Sequence, residues 1–424
     1  MVRLGLYIEV RHPDLDCSCI ESGNPGLGGT QYQMLLLAYH LANTYKDKFN
    51  VYLFVDEKVK FANDHITQVQ LLDKGDLREE IVKSNISVLI VRSELEILRY
   101  LEKLPIKIVT WSHNFFNYDL AEQIAKQTNV SVNVFVGKQQ YDVYIDDDVI
   151  EKSTFIFNMV PSSDVMPKRK SSKNVIFIGA LIPAKGFHIL ASMWKYILSN
   201  EPDAQLYVLG SGNLYGGIKE LGRYGLAEKN YEDGFMRYLT DDKGNILPSV
   251  HFEGVVGNNK VEYYLNASVG ALNLNGARET FGLVAAELEA CGVPVVTYGR
   301  GSYADIIQDG ITGYICNSRR DIVEKLLLLL GNKSQNILMG EAAYINSQKF
   351  SQKYILPQWV SLIESVEDGS LIVDYIKPIP PYRNNFKWLI VIVRFLRYNM
   401  GMKWLPSTIQ LATFVRKLLK RSVN

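Results

Sequence analysis

The stretch NLNGARETFGLVAAELEACGVPVV occupies residues 273–296. Apolar residues up to Asn275 indicate a buried strand, and a glycine-containing turn follows it. A helix is predicted from Phe281 to Cys291, because a glycine and a proline come directly after it. The run PVV then begins another strand. Strand, turn, helix and strand in this order indicate one βαβ unit of a parallel sheet.

Similar strand-like segments occur along the chain on both sides of this unit. An apolar pattern at helical spacing predicts a helix from Thr30 to Tyr45 between the first two of them. The alternation predicts an α/β protein with two Rossmann-like domains. The strand-like segments are LGLYIEV (4–10), NVYLFV (50–55), SVLIVR (87–92), KIVTWS (107–112), NVIFIG (174–179), AQLYVLG (204–210), SVHFEG (249–254), VGALNLN (269–275) and PVVTYG (294–299).

Domain boundaries follow from changes in composition. The segment PSSDVMPKRKSSK (161–173) has no apolar periodicity and resembles a connector. We therefore predict an N-terminal domain at 1–165 and a C-terminal domain at 174–350. A helix at 351–374 is expected to return toward the N-terminal domain, and a basic amphipathic tail occupies 375–424.

The composition is that of a folded protein with room for two domains. Of the 424 residues, 47% are hydrophobic and 21% are charged. Apolar runs fall far short of the roughly 20 residues of a membrane-spanning helix, and the N-terminus lacks signal-peptide features, so a cytoplasmic location is expected. The four cysteines lack metal-ligand spacing and are expected to be free thiols. No nucleic-acid partner is expected.

Two glutamates in the opening stretch stand where a ligand can bind. Glu279 precedes the predicted helix, and Glu287 lies two turns inside it. The helix N-terminus offers the N–H groups of Phe281, Gly282 and Leu283 to a phosphate. A purely structural alternative also exists, in which Glu279 is a first-turn carboxylate favoured by the helix dipole and Glu287 is an ordinary polar position.

The whole stretch resembles the E-x7-E signature of glycosyltransferase family 4, including ETFGL, the AxE helix and CGVPVV. The resemblance covers about residues 1–366 and is densest in the C-terminal half. It implies a GT-B fold, in which two Rossmann-like domains face each other across a cleft. It also implies that Glu279 contacts the donor sugar, that Glu287 holds the ribose, and that the segment containing Val256 passes near the nucleobase.

The segment FIGALIPAKGFHIL (177–190) resembles the family's strand, loop and Lys-Gly element. By this resemblance Lys185 binds the donor diphosphate and stabilises the leaving group. The family commonly has an arginine where this chain has Ala180. We expect Arg278 either to replace that arginine or to be a solvent-exposed side chain without a role in binding.

The N-terminal half contains two weaker signals. NPGLGGTQ (24–31) resembles the family's glycine-rich loop, whose N–H groups, here of Gly28 and Gly29, would face the diphosphate; a plain turn is the alternative. His113 follows a strand where family members place a histidine near the donor sugar, although a lone histidine is often structural.

The resulting prediction is a retaining, metal-independent glycosyltransferase that moves a sugar from a nucleoside diphosphate sugar to a hydroxyl of a glycan or lipid-linked acceptor. It requires no cofactor. No DxD-like pair ends a strand, and Asp146–Asp148 are predicted to be solvated loop charges. Two alternatives remain: a GT-B sugar-nucleotide epimerase, and a catalytically silent partner subunit that binds a sugar nucleotide.

The tail has an unusual charge. Residues 375–424 contain ten Lys or Arg and no Asp or Glu, whereas residues 1–374 contain 36 basic and 45 acidic residues. Tryptophan, phenylalanine and aliphatic residues alternate with the cations at 386–421, which is typical of an interfacial helix on an anionic membrane. Packing of the tail on the acidic N-terminal domain is the alternative.

Overall fold

A computed structural model describes residues 1–10, 15–213, 220–257, 259–381 and 384–421. The chain forms two compact units. Unit 1 consists of Met1–Met159 and Gln352–Asn424, and unit 2 of Val160–Ser351. The connector predicted at 161–173 therefore lies within unit 2. The helix predicted at 351–374 lies in unit 1, where it is observed at Gln352–Asp368.

Each unit contains one parallel sheet. The strands of unit 1 pair in the order β3-β2-β1-β4-β5-β6-β7, and those of unit 2 in the order β10-β9-β8-β11-β13-β15. Two short strands of unit 2, β12 and β14, pair separately. The strands are β1 Val2–Ile8, β2 Phe49–Val55, β3 Ile66–Gln70, β4 Val88–Arg92, β5 Lys107–Ser112, β6 Val130–Phe135, β7 Ser153–Phe155, β8 Asn174–Ile178, β9 Gln205–Leu209, β10 Val250–Gly254, β11 Val269–Leu272, β12 Arg278–Glu279, β13 Val295–Thr297, β14 Arg300–Gly301 and β15 Gly313–Ile315.

Helices follow most of these strands along the chain. They are α1 Gly29–Thr44, α2 Leu77–Lys83, α3 Leu95–Leu101, α4 Tyr118–Lys126, α5 Lys138–Tyr141, α6 Phe187–Asn200, α7 Lys229–Leu239, α8 Lys260–Leu265, α9 Leu283–Ala290, α10 Tyr303–Ile306, α11 Arg319–Gly331, α12 Lys333–Ser347, α13 Gln352–Asp368, α14 Lys387–Arg394 and α15 Thr408–Arg421. The predicted α/β class with two Rossmann-like sheets is confirmed.

Local differences from the sequence prediction have physical causes. The helix expected at Phe281 begins at Leu283, because Gly282 adopts a left-handed conformation with φ 93° and acts as the N-cap. Strand β3 was not predicted, since its sequence ITQVQ is partly exposed at the sheet edge and lacks a buried apolar run. The single-sequence pattern also missed β6, whose buried Asn133 interrupts an otherwise apolar run.

In each sheet, the order in which the chain adds strands reverses at one place. In unit 1 the chain adds strands on one side of β1 and then continues from β4 on its other side; in unit 2 the same change occurs between β8 and β11. The connections that leave two such neighbouring strands diverge to opposite faces of the sheet. A crevice therefore forms at the carboxyl ends of these strands, where open α/β sheets bind ligands.

The tail packs on the rest of unit 1. Lys387 at the start of α14 is buried and donates hydrogen bonds to Asp142 Oδ2 at 2.8 Å and Gln139 Oε1 at 2.6 Å. Asp142 is fully buried and also pairs with buried Lys138. The acidic body thus binds the basic tail through a buried Lys-Asp-Lys cluster, as the alternative in the sequence analysis held.

The prediction that Asp146–Asp148 are solvated loop charges is wrong for Asp146 and Asp147, whereas Asp148 is exposed. Asp146 and Asp147 are buried and cap the start of α15, where they accept hydrogen bonds from Thr408 and Ser407. Asp148 pairs with Arg397 at 2.7 Å. Burial raises the pKa of Asp146 to about 6. Only the contact with a segment more than 200 residues away explains this burial.

Across the described residues, we find no helix that has both the length and the apolarity required to traverse a bilayer.

We predict that Asp142→Asn destabilises unit 1 by about 3–5 kcal/mol, because it leaves two buried ammonium groups without their counter-charge. Urea unfolding measures the loss, and limited proteolysis should show earlier cleavage in the tail. Glu151→Gln is the matched control, since Glu151 pairs with Lys403 at an exposed position, where the expected loss is under about 1 kcal/mol. Equal losses in both variants would contradict the role of the buried cluster.

Candidate functional site

The central feature of unit 2 is an ion pair at the point where the strand order reverses. Lys185 lies in the segment between β8 and α6, and Glu279 lies in the short strand β12, which follows β11 along the chain. Lys185 Nζ is 2.8 Å from Glu279 Oε2. The two side chains are 29% and 24% exposed, so a ligand can reach both. The structure therefore brings together two residues that are 94 positions apart and that the sequence analysis had assigned to the donor.

A glycine holds the two loops in contact. Gly186 follows Lys185, has φ 80° and caps the N-terminus of α6. A Cβ at this position would be 2.4 Å from the backbone nitrogen of Asn275, in the loop after β11. Asn275 in turn donates a hydrogen bond to Pro183 O at 3.2 Å. Only glycine allows this approach, because any Cβ would separate the loops and strain the left-handed backbone.

Glu279 is held by a small sheet of its own. It belongs to β12, which pairs in parallel with β14, with Glu279 opposite Gly301. Arg278, the preceding residue, is exposed, whereas Ala180 is buried after β8. The structure thus leaves the Arg278 side chain at the surface, next to Glu279 in the chain.

The N-terminus of α9 is built from Gly282 and Leu283. An α-helix leaves its first N–H groups without intrahelical acceptors, and its dipole favours an anion there. With the observed start, these groups belong to Gly282, Leu283 and Val284. Phe281 precedes the helix, and its buried ring packs edge-to-face on Phe350. Phe281 therefore anchors the turn through its side chain.

Glu287 lies on α9 and is buried. It accepts hydrogen bonds from Lys260 Nζ at 2.6 Å and from Tyr264 Oη at 2.8 Å. Lys260 and Tyr264 are four residues apart on α8, so both face the same neighbour. Neither residue was predicted as a site residue, although the pattern K-V-E-Y-Y after the FEGVVG segment contains this spacing. A carboxylate has further acceptor capacity beyond these two bonds.

Val256 lies just beyond β10 and is partly buried. It follows the carboxyl end of an edge strand in the same parallel sheet. Its proximity to a nucleobase stays a prediction.

The other predicted site residues lie in unit 1. Gly28 is the N-cap of α1, and Gly29 is its first residue. The loop before them is closed by Asn24, whose Oδ1 accepts hydrogen bonds from the backbone nitrogens of Gly26 and Leu27. The backbone at both glycines is exposed, as a loop that receives a ligand requires.

His113 follows β5 and is buried against Trp111, with ring centroids 4.6 Å apart. Burial, together with the nearby positive charge of Arg92, lowers the pKa of His113 to about 3. The imidazole is therefore neutral at physiological pH. In that form it can make hydrogen bonds but cannot supply positive charge.

A cavity that the sequence analysis missed lies at the carboxyl ends of β1 and β4. Its volume is about 350 Å³, near the lower end of the range for ligand pockets. Tyr7 and Arg92 line it from β1 and β4, Glu9 and Glu94 from the segments just after these strands, and Gln31 from α1. Gln31 Nε2 donates a hydrogen bond to Glu9 O at 2.6 Å, which fixes the α1 side of the cavity. The cavity occupies the switch point of the unit 1 sheet, and its lining is rich in polar groups.

Among the side chains of the described ranges, no cluster of three or more His, Cys, Asp and Glu is arranged to hold a metal ion.

Part of the chain is similar to known sequences. Residues 162–345 match the model of glycosyl transferases group 1. An uncharacterized glycosyltransferase of Haemophilus influenzae is 22% identical over 331 residues, which are 75% of this chain and 86% of that protein. A D-inositol 3-phosphate glycosyltransferase of Corynebacterium aurimucosum is 30% identical over 42% of this chain and 40% of its own length. These matches support the prediction of a glycosyltransferase.

Solved structures with the same fold cover most of the chain. A crystal structure of Anabaena HepE in complex with UDP and glucose has a TM-score of 0.59 and 15% identity, and the match covers 86% of this chain and 100% of that one. Sucrose-phosphate synthase of Thermosynechococcus elongatus has a TM-score of 0.64 and 16% identity, with 87% and 100% covered. The fold is therefore GT-B, as predicted.

We predict that Gly186→Ala destabilises unit 2 by about 2 kcal/mol or more, through the close approach to Asn275 and the left-handed backbone. Thermal and urea unfolding measure the change. Gly234→Ala is the matched control: Gly234 lies inside α7 with open space around its Cβ position, so alanine should stabilise the protein by about 0.5–1 kcal/mol. A neutral effect of Gly186→Ala would contradict the loop contact.

Proposed function

We propose that the protein is a retaining glycosyltransferase of family 4 that transfers a sugar from a nucleoside diphosphate sugar to a hydroxyl acceptor without a metal ion. The observation that carries the proposal is the Lys185–Glu279 pair at the switch point of the unit 2 sheet. A glycosyl transferases group 1 match over the same unit supports it.

In the proposed donor complex, Lys185 and Glu279 bind different parts of the donor. The Lys185 ammonium binds the diphosphate and stabilises the negative charge that grows on it as the bond to the sugar breaks. The N–H groups at the start of α9 favour the same charge. Glu279 accepts hydrogen bonds from sugar hydroxyls, and Arg278 offers a further cation beside it. Lys185, Arg278 and the helix N-terminus thereby provide the positive charge that a metal would otherwise supply.

The reaction breaks the bond between the anomeric carbon and the diphosphate oxygen, and it forms a bond from the same carbon to the acceptor oxygen. The acceptor approaches from the face that the diphosphate leaves, so the anomeric configuration is kept. The hydroxyl proton passes to the departing phosphate. Glu279 and Glu287 position the donor in this proposal: Glu287, held by Lys260 and Tyr264, accepts hydrogen bonds from the ribose hydroxyls, and the loop at Val256 lies near the base.

The cavity in unit 1 is proposed to bind the acceptor. Its carboxylates, guanidinium and amide can hydrogen-bond to the several hydroxyls of a sugar or another polyol. Neutral His113 is proposed to hydrogen-bond to the donor sugar, and the N–H groups of Gly28 and Gly29 to the diphosphate. The product would enter polysaccharide, glycolipid or glycoconjugate synthesis on the cytoplasmic face of the membrane.

We predict that Lys185→Ala lowers kcat/KM for nucleotide release by about 10²–10³, the usual effect of removing one group that stabilises transition-state charge. The assay screens UDP-, GDP- and ADP-sugars with sugar and lipid-linked sugar acceptors. Lys195→Ala is the matched control, because Lys195 is exposed on α6. Chelators should leave the rate unchanged, and NMR of the product should show the anomeric configuration of the donor.

Three outcomes would contradict the proposal. Absence of a thermal shift with any of these donors would exclude a donor site. Nucleotide release without need of an acceptor, together with a changed sugar, would favour an epimerase. Donor binding without release or hydrolysis would favour a silent partner subunit.

A bulky side chain in the unit 1 cavity should weaken acceptor binding. Thr30 lines this cavity at the start of α1, and Thr30→Trp should fill part of it. We expect the KM for acceptor to rise about tenfold or more, with the thermal shift by the donor unchanged. Ser334→Trp, at an exposed position in the first turn of α12, is the control. A change in donor binding with no change in acceptor KM would place the acceptor elsewhere.

A further inference from the structure

Helix α15 presents an apolar face to solvent. Leu411, Phe414, Val415 and Leu418 are all exposed, and Phe414 reaches 61%. Their spacing of three and four residues places them on one side of the helix. Soluble proteins seldom leave such a contiguous apolar stripe in contact with water unless it binds something.

The opposite side of α15 faces the body of unit 1. Ile409 packs against the hydrophobic core of the unit, and Thr413 Oγ1 accepts a hydrogen bond from Tyr118 N at 3.1 Å. Lys417 pairs with Asp119 at the start of α4. At about 100° per residue, Ile409 and Thr413 lie roughly opposite Leu411 and Leu418. The apolar stripe is therefore directed away from the body by contacts on the other side.

Hydrogen bonds to two buried aspartates hold the start of α15 against unit 1. Buried Asp146 accepts hydrogen bonds from the backbone nitrogen of Thr408 at 2.7 Å and from its hydroxyl at 3.1 Å. Ser407 donates a hydrogen bond to Asp147 and accepts one from Gln410 N, as a helix cap does. The helix is thus held at its N-terminus with its apolar side facing outward.

The charge of the surroundings indicates the partner. Residues 386–421 contain eight Lys or Arg and no Asp or Glu. Some of these cations bind the body, as Lys387 and Arg397 do, but Arg416 is exposed on α15 itself. An exposed apolar stripe on a helix of a basic segment suits a surface that is apolar inside and anionic outside. Exposed Trp388 and Trp404 in the same tail are residues that favour the membrane interface.

We propose that α15 docks unit 1 on an anionic phospholipid bilayer, with Leu411, Phe414, Val415 and Leu418 inserted at the boundary between headgroups and acyl chains. With 14 residues, α15 is about 21 Å long and lies along the surface. The acidic residues at 142–151 bind and orient the tail, and the apolar stripe and basic residues bind lipid. In this arrangement the tail both packs on the acidic N-terminal domain and contacts the membrane, so the two alternatives for the tail are compatible.

The test is co-sedimentation of the full chain with vesicles of phosphatidylcholine, alone or mixed with phosphatidylglycerol. We expect binding to the mixed vesicles and weaker binding at high salt. The double variant Phe414→Ser and Leu418→Ser should lower the partition coefficient by about tenfold or more, because it removes two large apolar side chains from the insertion face. Arg416→Gln should lower it by less than the factor of about five expected for one cation at an anionic surface, because at about 100° per residue Arg416 lies on the side of α15 opposite Leu418.

Leu338→Ser is the matched control, because Leu338 is 62% exposed on α12 of unit 2; it should leave vesicle binding unchanged. All variants should keep the thermal unfolding temperature of the parent, since the substituted side chains are exposed. The five native tryptophans also emit, so the difference in emission between a Phe414→Trp variant and the parent reports insertion, as a shift to shorter wavelength when mixed vesicles are added.

Binding that is equal in the parent and the double variant would overturn the proposal. So would a Phe414→Trp emission shift that depends on protein concentration without vesicles, because it would assign the stripe to a second copy of the chain. Vesicle binding requires no donor or acceptor. A failure of vesicle binding would therefore not contradict the proposed transfer reaction. A failure of nucleotide release would not contradict the proposed docking of α15 on a membrane.

Discussion

The reversal of strand order in a parallel sheet is the constraint on which both candidate sites depend. At β8 and β11 the chain leaves neighbouring strands toward opposite faces of the sheet, so the loops after them border one crevice. Lys185 and Glu279 meet there at 2.8 Å. The same reversal between β1 and β4 forms the cavity lined by Glu9 and Arg92. Backbone topology therefore places the polar groups, and the side chains determine what each crevice can bind.

Glycine positions make the unit 2 crevice compact enough for this chemistry. Gly186 lets the loop after β8 touch the loop after β11, and Gly282 turns the chain so that α9 begins close to Glu279. Behind this turn, Glu287 is tied to Lys260 and Tyr264. A buried carboxylate is stable only when it is paired and hydrogen-bonded. The contact between α8 and α9 thus maintains a charged group inside the unit, next to the proposed donor site.

Charge organises unit 1 in a different way. The acidic body and the basic tail neutralise each other through Asp142, which pairs with Lys387, and Asp148, which pairs with Arg397. Buried contacts of this kind orient a segment because an unpaired charge in the interior is costly. The orientation leaves the apolar side of α15 in water. The basic residues of the tail therefore bind it to unit 1, and its apolar residues on α15 form an exposed surface.

Local sequence determined the βαβ rhythm, the two sheets, helix α1 within one residue of its observed start, and the order of residues around Glu279, because apolar periodicity and turn residues act over a few positions. Only the tertiary structure decided that Lys185 reaches Glu279, that Lys260 and Tyr264 hold Glu287, that a cavity opens beside Gln31, and that Asp146 and Asp147 cap the start of α15. Each of these depends on contacts between residues distant in sequence. A single sequence shows which groups are present, whereas packing decides which of them become neighbours and which are removed from water.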